Sequence, residues 1–164
     1  GRVQFRRMRF SAADLMYEVR DVMMTKAQET NIQIRVDVPN DMPLMEADRD
    51  KIKQVLLNLI SNAIKYNRPN GSVIVTGGYT EAELSMLVQD TGIGIPEESI
   101  SHLFEKFYRV REHENKATGT GLGLSICKQI IQGHNGRIDV KSKVGVGTSF
   151  GIHIPRVQRT IPRG

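Results

Sequence analysis

The sequence predicts a single domain of mixed α/β class. Its 164 residues suffice for one proper core. Stretches with apolar residues three and four apart interchange with stretches in which every second residue is apolar. Turn-forming clusters rich in Gly, Pro and Asn separate them.

The elements follow in order. Residues 3–10 alternate weakly and suit a short edge strand. Ser11 has the type and position of an N-cap, with Asp14 three residues on. Leu15, Val19, Val22, Met23 and Ala27 then fall at helical spacing, predicting a helix over 12–29. Residues 31–38 alternate strictly, as a half-buried strand does, and 44–47 suit another short strand. Asp50 is expected to cap a helix over 51–66, with Ile52, Val55, Leu56, Leu59, Ile60 and Ala63 on its apolar side. Residues 72–79 and 83–88 read as a hairpin and 96–100 as a short helix. Phe104 and Phe107 are expected to plug the core from one side. The polar, aperiodic stretch 110–118 reads as a mobile loop. An apolar helix over 125–132 and two strands, 136–142 and 148–154, complete the chain.

Composition excludes several classes. Hydrophobic content of 39% and charged content of 25% are those of an ordinary globular domain. No run approaches the ~18 apolar residues of a membrane span. The basic start lacks the apolar segment of a signal peptide. The single cysteine, Cys127, excludes an internal disulfide and suits a buried, inert thiol. The net charge of +5 belongs to the ends, where residues 1–9 and 156–164 hold seven of the 23 Lys and Arg and no acid. The body between them keeps 16 basic against 18 acidic residues, which argues against a nucleic-acid surface. The ends read as solvated termini or the cut edges of a longer protein.

Chemistry concentrates in four places. The first is residues 89–96, Gln-Asp-Thr-Gly-Ile-Gly-Ile-Pro, directly after the apolar run 84–88. It sets Asp90 at a strand end, while Gly92 and Gly94 let the backbone turn tightly beside a ligand. A carboxylate only accepts hydrogen bonds, so it would select a donor such as an adenine amine, at roughly 1.5–3 kcal/mol. The second is on the 51–66 helix, where Asn62 lies four residues after Asn58, and Lys65 and Tyr66 follow three and four residues later. They form one polar stripe. The third place is the polar loop. The fourth is Gly119-Thr120-Gly121-Leu122-Gly123-Leu124, which runs into a helix and offers bare amides at a positive helix end, as phosphate requires. It is neither a Walker A nor a dinucleotide fingerprint. Together the four imply a nucleoside triphosphate with magnesium.

These residues resemble the histidine-kinase branch of the ATPase superfamily that includes gyrase, MutL and the large heat-shock chaperones. Residues 58–66 resemble the N box, 90–96 the first glycine box, 103–109 the F box, 119–124 the second glycine box and 145–148 the last motif. The resemblance covers about 10–155 and implies a Bergerat-type ATP-binding sandwich: a mixed, largely antiparallel sheet covered on one face by three helices. It further implies a domain over 11–155, flanked by a basic segment over 1–10 and a basic tail over 156–164.

Carried over by position, Asp90 would bind the adenine amine. Tyr66 would flank the base, and Gly92, Gly94 and Ile95 would shape its pocket. Asn62 would ligate magnesium. Asn58 and Lys65 would contact phosphates, and Arg109 would approach the γ-phosphate during transfer. Gly119, Thr120, Gly121, Leu122, Gly123 and Leu124 would hinge the lid and cradle phosphate. Thr148 would support Asp90 through water. Lid residues Arg111 and Lys116 are weaker candidates. Hydrolytic members carry a glutamate where this chain has Asn58, and a neutral amide is no general base. Transfer to a histidine needs none, since imidazole is itself the nucleophile.

The implied activity is therefore that of a protein-histidine kinase catalytic domain in two-component signalling, with ATP and Mg2+ as cofactors. The phosphoacceptor hairpin of such kinases is absent from the sequence. His102, His113, His134 and His153 read as structural or solvent-facing rather than as phosphate carriers. His134 departs from the family in being followed by Asn135 in place of a glycine. The implied partners are that hairpin domain of the same parent and a response-regulator receiver domain. The isolated domain is expected to be a cytoplasmic monomer and the parent a homodimer, with a membrane anchor for the parent left open. Two alternatives stand beside this reading: an anti-sigma-like serine kinase, and a nucleotide-binding regulatory domain without catalysis.

Overall fold

The computed structural model describes residues 4–110 and 123–157. The order of elements is β1 (Arg7–Phe10), α1 (Ala12–Glu29), β2 (Gln33–Asp37), β3 (Met45–Asp48), α2 (Arg49–Lys65), β4 (Ser72–Tyr79), β5 (Glu83–Asp90), α3 (Glu97–Ile100), α4 (Gly123–Gly133), β6 (Arg137–Lys143) and β7 (Gly147–Pro155). A five-stranded sheet runs β2-β4-β5-β7-β6, and β1 pairs with β3 in a separate two-stranded sheet. Among the described residues only β2 and β4 pair in parallel; the other pairs are antiparallel. The expected mixed, largely antiparallel sheet is thus present.

Period-two patterning gives the large sheet one apolar face. Val75 lies opposite Val88, Val88 opposite Phe150, and Met86 opposite Ile152, and all are buried. Side chains opposite one another share a face. That face is roofed by helices: α1 packs on β2 and β4, α2 on β4 and β5, and α4 on β6 and β7. Asp90 lies two residues beyond Val88, so it points under the same roof. Parity alone delivers a carboxylate to the helix-covered side.

The helices begin and end on identifiable caps. Ser11 Oγ accepts from the Asp14 amide at 3.0 Å, as expected for α1. For α2 the sequence points to Asp50, but the cap is Asp48, whose Oδ1 accepts from the Lys51 amide at 3.2 Å. Asp48 has extended torsions and is largely buried, so the helix starts two residues early and Asp50 becomes an exposed first-turn residue. The F-box phenylalanines also depart from the expected shared side. Leu103 is buried and Phe104 meets Phe150 edge-on at 6.3 Å, but Phe107 is 69% exposed with φ of 66°. Residues 101–107 form turns rather than a helix, so the two phenylalanines do not share a side.

At the end of α4, His134 is fully buried. Its Nε2 lies 3.0 Å from the Asp48 amide and its Nδ1 2.8 Å from the Ile130 carbonyl. The amide can only donate and the carbonyl only accept, so the ring is neutral with its proton on Nδ1. The next residue, Asn135, has φ of 60°, a left-handed conformation that asparagine tolerates better than most residues, which accounts for the missing glycine. Burial holds the His134 pKa below its ordinary value of 6.5. The unfolded chain therefore takes up this proton before the folded one, and the stability that the neutral ring contributes is lost as pH falls through 6.5. The stability difference between wild type and His134→Gln, measured by urea unfolding across about pH 5–8, is expected to move against wild type as pH falls, because only wild type carries this component. Parallel profiles would refute the assignment.

The opposite face of the sheet carries exposed Arg35, Gln89, Asp139 and Lys141. There Ser85 Oγ lies 2.9 Å from His153 Nδ1, and Asp139 Oδ2 lies 3.0 Å from His153 Nε2. The trio has a hydrolase triad's residue types. However, β5 and β7 are interior strands whose amides serve the ladder, so they offer no oxyanion donors. We read it as a cross-strand ladder. His102 pairs with Glu105 on the surface, and His113 lies outside the described residues. Cys127 is buried among helix contacts, its thiol pushed up to about 12 by burial, as its inert reading requires. No helix among the described residues is long and apolar enough to cross a membrane.

Candidate functional site

A cleft of about 620 Å3 lies where α2, the start of α4 and the inner end of β5 and β7 meet residues 103–110. From α2 it is lined by Asn58, Asn62, Lys65 and Tyr66, so the predicted stripe faces one space. Asp90 and Thr148 line it from the sheet. Ile95, Arg109, Gly123 and Leu124 complete the predicted residues on its wall. Gly92 and Gly94 lie behind Asp90 rather than on the wall, and Gly119, Thr120, Gly121, Leu122, Arg111 and Lys116 lie outside the described residues.

Asp90 is held on one side only. Its Oδ1 accepts from the Gly92 amide at 2.8 Å and the Thr148 amide at 3.1 Å. Its Oδ2 has no hydrogen bond among the described residues. Burial pushes the carboxyl up to about 6, and the two amides oppose that rise. One oxygen is thus a fixed anchor and the other an available acceptor in a half-dry site. The sequence reading has Thr148 acting through water. In the structure its backbone amide meets Asp90 directly, and its hydroxyl lies 2.8 Å from Ser142 Oγ.

The glycines explain how the backbone comes so close. A Cβ on Gly92 would collide with the Tyr66 carbonyl oxygen and stand 2.8 Å from Asp90 Oδ1. Gly94 has φ of 77°, and a Cβ there would strike the Lys143 carbonyl. The Ile93 amide donates to the Tyr66 carbonyl at 3.0 Å, tying the glycine loop to the end of α2. Asn67 strengthens that junction: its Nδ2 donates to the Ser72 carbonyl and its Oδ1 accepts from the Thr91 hydroxyl. Ser142 Oγ accepts from the Ile95 amide at 2.8 Å and donates to the Gly147 carbonyl at 3.0 Å. At the other end a Cβ on Gly123 would sit 2.6 Å from Asn58 Nδ2, so α4 begins directly against the first asparagine.

Charge along the cleft is polarised. Asp90 is the one carboxylate among its described lining residues, and Lys26, Lys65 and Arg109 supply cations. Burial raises the Tyr66 phenol pKa, and the Arg109 guanidinium pulls it the other way. A ligand with a donor at one end and negative charge at the other suits this arrangement. Among the described residues no cluster of three His, Cys, Asp or Glu side chains could hold a metal alone. Asn62 offers a single amide oxygen. That donor set fits magnesium, which keeps several waters and takes its remaining ligands from phosphates.

The sequence reading missed Lys26, Ser61, Ser142 and Asn67. Ser61 had a signal, lying three residues after Asn58 on the same helix row. Ser142 also had one: it is a polar residue at an inward position of β6, after Ile138 and Val140. Lys26 and Asn67 had none, because their partners are remote or set by a turn.

Fold and cleft together define an α/β sandwich whose candidate site lies between the helical roof and the sheet ends. The family model described as Histidine kinase-, DNA gyrase B-, and HSP90-like ATPase matches residues 47–158, and the chain belongs to that family. It is 36% identical over 149 residues to the adaptive-response sensory kinase SasA of Synechococcus elongatus, covering 90% of this chain and 38% of that kinase. The catalytic domain of histidine kinase ThkA superposes with a TM-score of 0.82 at 33% identity, covering 93% of this chain and 99% of that one. ThkA is also known in complex with the response regulator protein TrrA. Full-length ShkA in complex with AMPPNP superposes with a TM-score of 0.86 at 26% identity, covering 98% of this chain and 33% of that one. The chain therefore spans a little over a third of SasA and a third of ShkA.

Proposed function

We propose that this domain binds ATP with magnesium and transfers the γ-phosphate to a histidine on a separate hairpin of its parent protein, for relay to a response regulator. The observation that carries the reading is Asp90. Its anchored Oδ1 and unengaged Oδ2 share a cleft with two helical asparagines and three cations. Oδ2 accepts from the adenine amine, and Tyr66 borders the base. Asn62 holds the metal, which neutralises phosphate charge when bound. Lys65, Asn58 and Arg109 orient the phosphates. Asp90 is the sole carboxylate on the described wall and is committed to the base end, so the wall offers water no general base near Asn58. That favours transfer to an imidazole over hydrolysis. The AMPPNP in the ShkA structure and the regulator bound to ThkA support the ligand and partner classes.

The test is a two-stage assay. Calorimetric titration with AMPPNP is expected to show binding that requires magnesium. Labelled ATP with a supplied phosphoacceptor hairpin is expected to give an acid-labile, alkali-stable label on the hairpin. Binding without transfer would leave a regulatory nucleotide domain. Absence of binding would overturn the proposal.

A further inference from the structure

We propose that Lys26 of α1 is a phosphate-binding residue of this cleft, supplying a cation to the part of the nucleotide beyond its α-phosphate. The proposal rests on the nucleotide reading above. It concerns a helix that carries none of the family's motifs.

Helix α1 packs alongside α2. Met23 and Lys26, one turn apart on α1, both line the cleft, and Met23 is 8% exposed and fixes that side by packing. Lys26 Nζ lies 3.5 Å from Ser61 Oγ. Ser61 stands three residues after Asn58 and four before Lys65, so it belongs to the same row of α2. Ser61 also lies five residues before Tyr66, about 7.5 Å along the helix at roughly 1.5 Å per residue. The Lys26 amine is therefore level with the asparagines, away from the base end marked by Tyr66 and Asp90.

The charge around Lys26 supports a ligand role. Three other cations of α1 and α2 are paired with acids: Arg49 and Lys53 both bind Glu18, and Arg20 binds Asp21. Lys26 has no acidic partner among the described residues. The one hydrogen bond of its amine among the described residues is to a neutral hydroxyl at the long limit of such bonds, a contact easily exchanged for a phosphate oxygen. A purely local role is available, because Lys26 sits in the last turn of α1 where a cation complements the helix dipole. That role would affect folding alone and would not discriminate between ligands.

Chemical-shift titrations separate the two. Wild type, Lys26→Ala and Lys26→Arg are titrated with adenosine, ADP and AMPPNP plus magnesium. Lys26→Ala is expected to weaken AMPPNP about three- to tenfold and to leave adenosine unchanged, the loss shrinking at high salt. Lys26→Arg should recover most of the affinity. Unchanged AMPPNP affinity in Lys26→Ala, with wild type binding normally, would overturn the role of Lys26 alone. Equal losses for adenosine and AMPPNP would assign Lys26 to folding. A wild type that binds no adenine nucleotide would overturn both this inference and the function it rests on.

Discussion

Replacing Asp90 by Asn is expected to weaken AMPPNP binding about 100-fold and, at the same time, to raise the unfolding temperature of the ligand-free domain. The two effects have one cause. The Gly92 and Thr148 amides both demand an acceptor at Oδ1. An asparagine must turn its carbonyl to them and present its NH2 where Oδ2 stood. A donor then faces the donor of the ligand, and a charge-assisted bond worth roughly 1.5–3 kcal/mol is lost. Stability moves the other way. The folded carboxyl titrates at about 6 against an ordinary 3.8, so folding stability falls as pH rises from about 4 to about 6 and stays low above it. Removing the charge recovers roughly 1–3 kcal/mol at neutral pH, a few degrees in a domain of this size. The stability difference between variant and wild type should therefore close towards about pH 4. Nucleotide affinity of wild type should fall about tenfold between roughly pH 7 and pH 5, whereas the residual affinity of the Asp90→Asn variant should not follow that titration. Calorimetry and thermal melts on the two proteins across this range decide it. A variant that melts no higher than wild type at about pH 7.5 would show that burial of this charge is not a strain on the fold.

How far the sequence reaches depends on whether a signal is local. The stripe of Asn58, Asn62, Lys65 and Tyr66 is local to one helix, so its spacing places all four on the cleft. The inward aim of Asp90 is legible from the parity of Leu84, Met86 and Val88. The strand order is not legible in this way, since β2 pairs in parallel with β4 across the whole of α2, and no periodicity encodes which strands become neighbours. The choice of Asp48 over Asp50 as cap is equally hidden: both are aspartates beside the same helix, and extended torsions at Asp48 decide between them. Phe107 is misplaced when helical spacing is applied to a stretch that forms turns. Lys26 comes to Ser61 from 35 positions away, and only packing of α1 on α2 joins them. What the residues state locally can be read directly; what depends on remote partners requires the fold.

The same dependence makes Gly147→Ala a strongly disruptive change at the site. Gly147 is buried with φ of 145° and pairs with Lys143 at the start of β7. A Cβ there would collide with the Asp90 carbonyl oxygen and stand 3.1 Å from Thr91 Cα. These are backbone atoms at the end of the strand that carries Asp90, so no rotamer change relieves them. Torsional strain contributes about 1–3 kcal/mol and the collision adds to it, for a loss of roughly 2–4 kcal/mol and a fall in melting temperature of about 5–15 °C. The displacement also reaches function. Thr148 is the next residue, and its amide is one of the two that anchor Asp90 Oδ1. AMPPNP affinity is therefore expected to drop at temperatures where the variant remains folded. Gly145 supplies the control: it has φ of 81° in the same turn, yet a Cβ there meets nothing within 4 Å. Gly145→Ala should suffer the torsional strain alone, about 1 kcal/mol, and keep its nucleotide affinity. If both alanine variants lose stability and affinity equally, the contact between Gly147 and the Asp90 backbone has no bearing on the site, and the turn acts only through its torsions.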